Sequence, residues 1–255
     1  MKARPILAAA CLGLLIGRGA VRPAKAAEAD PFARAAELYA SSDYRGAATA
    51  YASLLEARPR SAALHYNLGN ALFKDGQLGR AIAEYQRAFD LRPRDRDTRY
   101  NLDFALKRAG EELVPPGVPP FIHYLFHLIA LRELEGLHWL AAWAALLLAC
   151  AALLRRSAAG PVGWWGAGAL AAWIFFGGWW AARAGIEPAE RAVVIKPTAE
   201  IRSGPGENFS VAFTAPEGRR VEVLSENGRW MEIGLAKEGA KGWILAESVE
   251  RIARH

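Results

Sequence analysis

Seven polar residues at helical spacing hold most of the chemistry this 255-residue chain can offer: Tyr66, Asn67, Asn70 and Lys74, then Asn101, Lys107 and Arg108. Residues three and four apart share one face of a helix, so the first four project together. Amides and a phenol can hydrogen-bond a peptide main chain, and lysine or arginine can hold a carboxylate. This set reads as partner-binding and not as catalytic.

Other constellations are weaker. His123 and His127, four apart, could offer two ligands to a metal, but no third ligand lies close in the sequence, and neither a metal nor a cofactor is expected. The turn Ser203-Gly204-Pro205-Gly206 resembles a phosphate cradle only in its glycines, since no lysine and no helix follow it. A nucleophile elbow, a Walker loop, zinc-protease spacing and a Cys-x-x-Cys pair are all missing from the sequence. The expectation is a protein that is not an enzyme.

The elements that would position the seven residues follow from a repeat. Ala47, Tyr51 and Pro59 recur as Ala81, Tyr85 and Pro93, and Tyr66-Asn67-Leu68 recurs as Tyr100-Asn101-Leu102. Each shift is 34 positions, the period of the tetratricopeptide repeat, a pair of antiparallel helices. A repeat domain is expected over residues 28–113, with Ala35 and Ala47 allowing close helix approach and Pro59 and Pro93 ending second helices. Leu68, Gly69, Leu72, Gly76, Ala81, Tyr85, Ala88 and Pro93 fit the repeat pattern best, and a third first-helix ends near Gly110. Stacked repeats leave a concave face suited to gripping another protein. Two and a half repeats share few interfaces, so extra burial is expected from a partner, from self-association or from the segment that follows.

The apolar residues are unevenly spread. Lys2 and Arg4, an apolar run from Ile6 to Ile16 and the small-x-small site Ala24-Lys25-Ala26 read as a secretory signal over residues 1–26. Cys11 within it could alternatively accept a lipid, and an uncleaved anchor would give the same orientation. Five of the charges behind the net +6 lie in this segment, so the remainder is nearly balanced, and no basic stripe speaks for nucleic acid. The only other cysteine, Cys150, lies in an apolar run, so no disulfide is expected to staple the fold.

Residues 114–120, VPPGVPP, read as an extended, stiff proline-rich linker, and Pro116 to Pro119 form a P-x-x-P sequence. Residues 121–135 read as an interfacial or capping helix. Two uncharged stretches follow, 137–154 and 162–182, roughly 27 and 31 Å long as helices and so able to cross a bilayer. Arg155 and Arg156, with a turn at Gly160-Pro161, mark the loop 155–161 as cytoplasmic. Trp164, Trp165, Trp179 and Trp180 read as interfacial belts, and Gly163, Ala167 and Ala171 as a helix-packing face. The expected localisation is the bacterial inner membrane, two-pass, with both terminal domains in the periplasm.

From Arg191 the pattern changes to five short strands, 192–196, 211–214, 221–224, 230–235 and 242–245, parted by turn residues. The expectation is a small barrel over 190–252, anchored by Trp230 and Trp243. Ile201-Arg202-Ser203-Gly204-Pro205-Gly206, Gly228-Arg229-Trp230 and Gly242-Trp243-Ile244 resemble the bacterial SH3-like domain, without the early aromatic cluster that makes a polyproline groove.

The fold class is therefore a multidomain membrane protein: an all-α repeat solenoid, two transmembrane helices and an all-β SH3-like barrel. In this order, and in phrases such as Tyr66-Asn67-Leu68-Gly69-Asn70 and Asp97-Thr98-Arg99-Tyr100-Asn101-Leu102, the chain resembles the BatE-type members of the Bat (Bacteroides aerotolerance) family. The resemblance implies a scaffold acting beside von Willebrand A-type membrane proteins and a MoxR-type ATPase in envelope stress or aerotolerance. Peptidoglycan binding through the barrel is the alternative.

Overall fold

The structure, a computed structural model, describes residues 30–154, 159–187, 190–235 and 239–253. The chain divides into Met1–Asp30 and Pro31–His255, and every element below belongs to the second unit. The expected signal over 1–26 lies outside the described residues, as do Arg155 and Arg156.

Five helices form the repeat region: α1 (Pro31–Ala40), α2 (Tyr44–Ala57), α3 (Ala62–Lys74), α4 (Leu78–Leu91) and α5 (Arg96–Arg108). Their contacts run in chain order, each helix packing on the next. Small residues make this possible: Ala35, Ala47, Ala71, Ala81 and Ala105 are fully buried. At Gly69 a Cβ would lie 2.7 Å from the Tyr85 ring, so α3 and α4 close only around glycine. Asp43, Ser61 and Asp95 cap α2, α3 and α5 by accepting backbone amides. Gly76 and Gly110 take φ of 83° and 73° to turn the chain after α3 and α5.

Beyond α5 the linker differs from the expected extended spacer. Val118 N donates to Pro115 O at 3.2 Å, with Pro116 and Gly117 (φ 83°) between them. Proline followed by a positive-φ glycine is the chemistry of a type II turn, so the segment folds back. It leads into α6 (Pro120–Phe126) and then α7 (Leu131–Leu154) and α8 (Ala159–Ile186), which pack as an antiparallel pair. Arg132, Glu133 and Glu135 thus sit in the first turns of α7 and not in a separate helix over 121–135. Gly160 and Pro161 lie within the first turn of α8, where proline is tolerated, so the expected turn is not there.

Among the described residues, α7 is the one helix long and apolar enough to cross a membrane, and its apolar stretch is unburied. α8 is longer and dense in glycine and tryptophan. The seam between the two runs through His138: Trp173 Nε1 donates to His138 Nε2 at 3.2 Å, the imidazole stacks 5.6 and 6.0 Å from Trp173 and Trp180, and Gly177 makes room for it. Gly163, expected on the packing face, meets nothing.

The C-terminal sheet has seven strands: β1 (Glu190–Val194), β2 (Thr198–Arg202), β3 (Val211–Pro216), β4 (Arg220–Asn227), β5 (Trp230–Leu235), β6 (Ala240–Leu245) and β7 (Val249–Ala253). The order is β3-β2-β6-β5-β4-β1-β7, with antiparallel pairing throughout. β2 and β7 add to the five strands expected. The barrel core is aliphatic, built on Ile201, Val221, Met231, Ile233 and Ile244. Trp230 is buried outside that cluster and Trp243 is half-exposed, so neither is its anchor.

Repeats and barrel share one core. Val193 and Ile252 join the apolar cluster of Ala81, Ile82 and Leu106. Gln77 offers no side-chain cap to α4, and Glu217 from the barrel replaces it, accepting from Gly79 N at 2.8 Å. A Cβ at Gly79 would come within 2.2 Å of Val194 O, so that glycine is where the two backbones meet. Arg87 bridges Glu84 to Glu250 and to the Arg251 carbonyl, Arg191 pairs with Asp90, and Arg219 with Glu111 at 3.0 Å. The barrel supplies the burial that two and a half repeats lack.

Candidate functional site

The concave side of the repeats holds an open groove of about 310 Å³. Tyr66, Asn70, Phe73 and Lys74 reach it from α3, Tyr100, Asn101 and Phe104 from α5, with Tyr39 and Tyr85 at its floor and edge. α3 and α5 are first helices of successive repeats, so equivalent positions line opposite walls.

Asn70 is the centre. Its Oδ1 accepts from Tyr85 OH at 2.8 Å and from Asn101 Nδ2 at 2.9 Å, and Asn101 Nδ2 also reaches Tyr66 OH at 3.2 Å. In this arrangement the Asn70 carbonyl oxygen takes two donors at once. Asn70 Nδ2 and Asn101 Oδ1 are the remaining polar atoms of the pair, one donor and one acceptor, the complement of a peptide group. Burial first, then the nearby Tyr66 and Tyr39 hydroxyls, raise the Tyr85 pKa, so its hydroxyl stays protonated and keeps donating.

The outer wall is aromatic. Tyr100, 70% exposed, stacks on Phe104 at 6.5 Å, Phe104 meets Phe73 edge-on at 5.8 Å, and the Arg108 guanidinium lies 5.4 Å from the Phe73 ring centre. Of the seven residues singled out from the sequence, Tyr66, Asn70, Lys74 and Asn101 line the groove. Asn67 does not, Lys107 is held by Asp103 at 2.6 Å, and Arg108 acts from behind Phe73. Tyr39, Phe73, Tyr85, Tyr100 and Phe104 were missed. The repeat contained the signal for two of them, since Tyr100 and Phe104 stand 34 positions after Tyr66 and Asn70.

Elsewhere the chemistry is structural. The His123 and His127 rings lie 4.2 Å apart, yet among the described residues no group of three His, Cys, Asp or Glu side chains is placed to hold a metal. A cavity of about 280 Å³ between α4, the linker and the barrel is lined by Pro115, Pro116, Arg191, Arg219 and Arg220. Its arginines are committed to Asp90 of α4 and to Glu111 and the Glu112 carbonyl just before the linker, so charged contacts lie beside Pro115 and Pro116 in this cavity.

Comparison with known proteins agrees with this division. Residues 32–96 match the tetratricopeptide repeat family and residues 197–250 match the bacterial SH3 domain family. Over 55 residues, 22% of the chain, it is 34% identical to a Bacillus subtilis (strain 168) protein named as an N-acetylmuramoyl-L-alanine amidase, YrvJ. That stretch falls in the SH3 region and spans 10% of the relative's length. The chain thus carries a tetratricopeptide repeat module joined to a bacterial SH3 domain.

Proposed function

We propose that the protein is a membrane-anchored scaffold whose repeat groove grips an extended segment of a protein partner, and that it is not an enzyme. The observation carrying this is the fixed amide of Asn70, which presents a donor beside the Asn101 acceptor on an aromatic wall with Lys74 at hand. Such preorganisation lowers the ordering cost of binding. α7 and α8 form a two-pass anchor in the bacterial inner membrane, with repeats and barrel both on the periplasmic side. The partner system is of the Bat type, with von Willebrand A-type membrane proteins and a MoxR-type ATPase, and self-association is compatible with the same face.

The test is affinity capture of the full-length protein from cross-linked native membranes, followed by mass spectrometry. Recovery of von Willebrand A-type proteins that is lost in the Asn70→Ala/Lys74→Ala variant supports the scaffold; recovery unaltered by that variant rejects the groove as the site.

A second reading has one observation in its favour, the stretch shared with the named amidase. In it the barrel docks on peptidoglycan and the repeats brace it. Sedimentation of the full-length protein with purified peptidoglycan, insensitive to the groove variant, would favour this reading.

A further inference from the structure

α6 is built inside out. A helix at the surface of a water-soluble domain buries its apolar residues and shows its polar ones. Here His123 is buried, 8% exposed, and His127 is turned inward toward Phe89 at 6.2 Å and Glu187 at 3.4 Å. Phe121 and Leu125, 69% and 59% exposed, face outward together with Ile122 and Leu128. At seven residues, about 10 Å, the helix is far too short to span a bilayer.

Its position is fixed relative to the hairpin. Trp179 Nε1 donates to the Phe126 carbonyl at 3.1 Å, and Arg183 Nη1 to the Ile129 carbonyl at 2.6 Å. A tryptophan followed by an arginine at the end of a long apolar helix marks the level where hydrocarbon gives way to headgroups. α6 therefore lies at that level, and α7 begins at Leu131, five residues after it ends. On its other side Arg99 of α5 sits 4.4 Å over the Tyr124 ring, next in sequence to Tyr100 of the groove wall.

We propose that α6 is seated in the lipid headgroup and acyl boundary, with Phe121, Ile122 and Leu125 of the helix and Leu128 just beyond it facing the membrane. The occupant of the exposed apolar face is the lipid surface, because Trp179 and Arg183 tie this segment to the end of α8, which packs on the unburied apolar helix α7. The consequence deepens the scaffold reading and rests on it: the Tyr100 wall of the groove stands about one helix diameter from the bilayer. The segment it grips is then the part of a membrane-embedded protein that lies just outside the lipid.

The experiment uses the full-length protein with Cys11 and Cys150 replaced by serine, reconstituted in phosphatidylethanolamine and phosphatidylglycerol vesicles. A single environment-sensitive fluorophore is placed at Leu125→Cys, at Ile122→Cys, at Leu140→Cys on the exposed face of α7 or at Lys241→Cys on the barrel. Lipids carrying a nitroxide near the headgroup or near the chain end serve as quenchers, and iodide serves as the aqueous one.

The result expected is several-fold stronger quenching at 122 and 125 by the shallow nitroxide than by the deep one, deep quenching at 140 and iodide quenching at 241. Positions 122 and 125 behaving like 241 while 140 stays deep would overturn the seat and leave the anchor intact. Shielding of both positions from every quencher, relieved on dilution, would also overturn it, in favour of a second copy. Iodide access at 140 would remove the anchor and the seat together. Helicity measured on each labelled protein separates these outcomes from misfolding.

Discussion

Glu217, in the turn after β3, accepts a hydrogen bond from the backbone amide of Gly79 at the start of α4, although 138 positions separate them. A helix N-terminus leaves amides without intrahelical partners, and here another domain supplies the acceptor. The bond makes the barrel part of the repeat stack.

Substitution at that meeting point tests the shared core. Gly79→Ala places a Cβ against the Val194 carbonyl, so the two backbones must separate. An overpacking cost of about 1–3 kcal/mol is expected. Glu217→Ala removes only the cap and should cost about 1 kcal/mol. Chemical denaturation of the detergent-solubilised protein should rank Gly79→Ala as the more damaging.

Arg87 joins buried Glu84 to Glu250 and the Arg251 carbonyl. Arg87→Ala leaves Glu84 paired with His65, at 2.6 Å, and removes the Arg87 bonds that tie β7 to α4. A loss of roughly 3 kcal/mol is expected for breaking a buried pair on one side. Limited proteolysis should then cut near residues 187–190 faster than in the parent protein.

At the groove, Asn70→Ala leaves the hydroxyl of the buried Tyr85 without its acceptor, at a cost of about 1 kcal/mol. Helicity should persist while partner capture falls. Lys74→Glu should weaken capture more than Lys74→Ala, and the difference should shrink in high salt, if the bound segment carries a carboxylate.

Acid should loosen the seat of α6. Burial first, then His127, Arg220 and Arg183, push the His123 pKa down to about 4 against Glu187, from an unfolded value of 6.5. The unfolded chain therefore takes up the proton first, so the stability is complete above 6.5 and lost as pH falls toward 4. Glu187 works lower: its burial is outweighed by His127 and Arg183, which hold it down to about 2, so its contribution is present above 4.5 and lost below that. Thermal unfolding against pH should show both windows, and His123→Gln should abolish the upper one alone.

In the α7–α8 hairpin, Gly177→Val would drive a side chain into the His138 ring, whose Nδ1 lies 2.6 Å from where a Cβ would stand. The Trp173 to His138 hydrogen bond should be lost and the fluorescence of the hairpin tryptophans should change, with the soluble domains unaltered.

Local signals were legible without coordinates because they act within a few residues. The recurrence of Ala47, Tyr51 and Pro59 marked the repeats, the turn glycine at 228 marked the β4–β5 hairpin, and Tyr66, Asn70, Lys74 and Asn101 were found as a set before their walls were. β2 and β7 escaped notice because short strands carry few alternating positions. Tyr39, Phe73 and Tyr85 escaped because an aromatic at helical spacing reads as core until its neighbours are known.

What no local pattern contained is the docking of the barrel on α4. Val193, Glu217 and Ile252 look like ordinary strand and turn residues, and Gly79 like an ordinary helix-start glycine. Their roles depend on pairing across more than a hundred positions, and such contacts are set by the shapes of two finished surfaces. The same holds for α6, whose apolar residues were plain in sequence. Which of them would face outward was settled by the burial of His123 against the end of the hairpin.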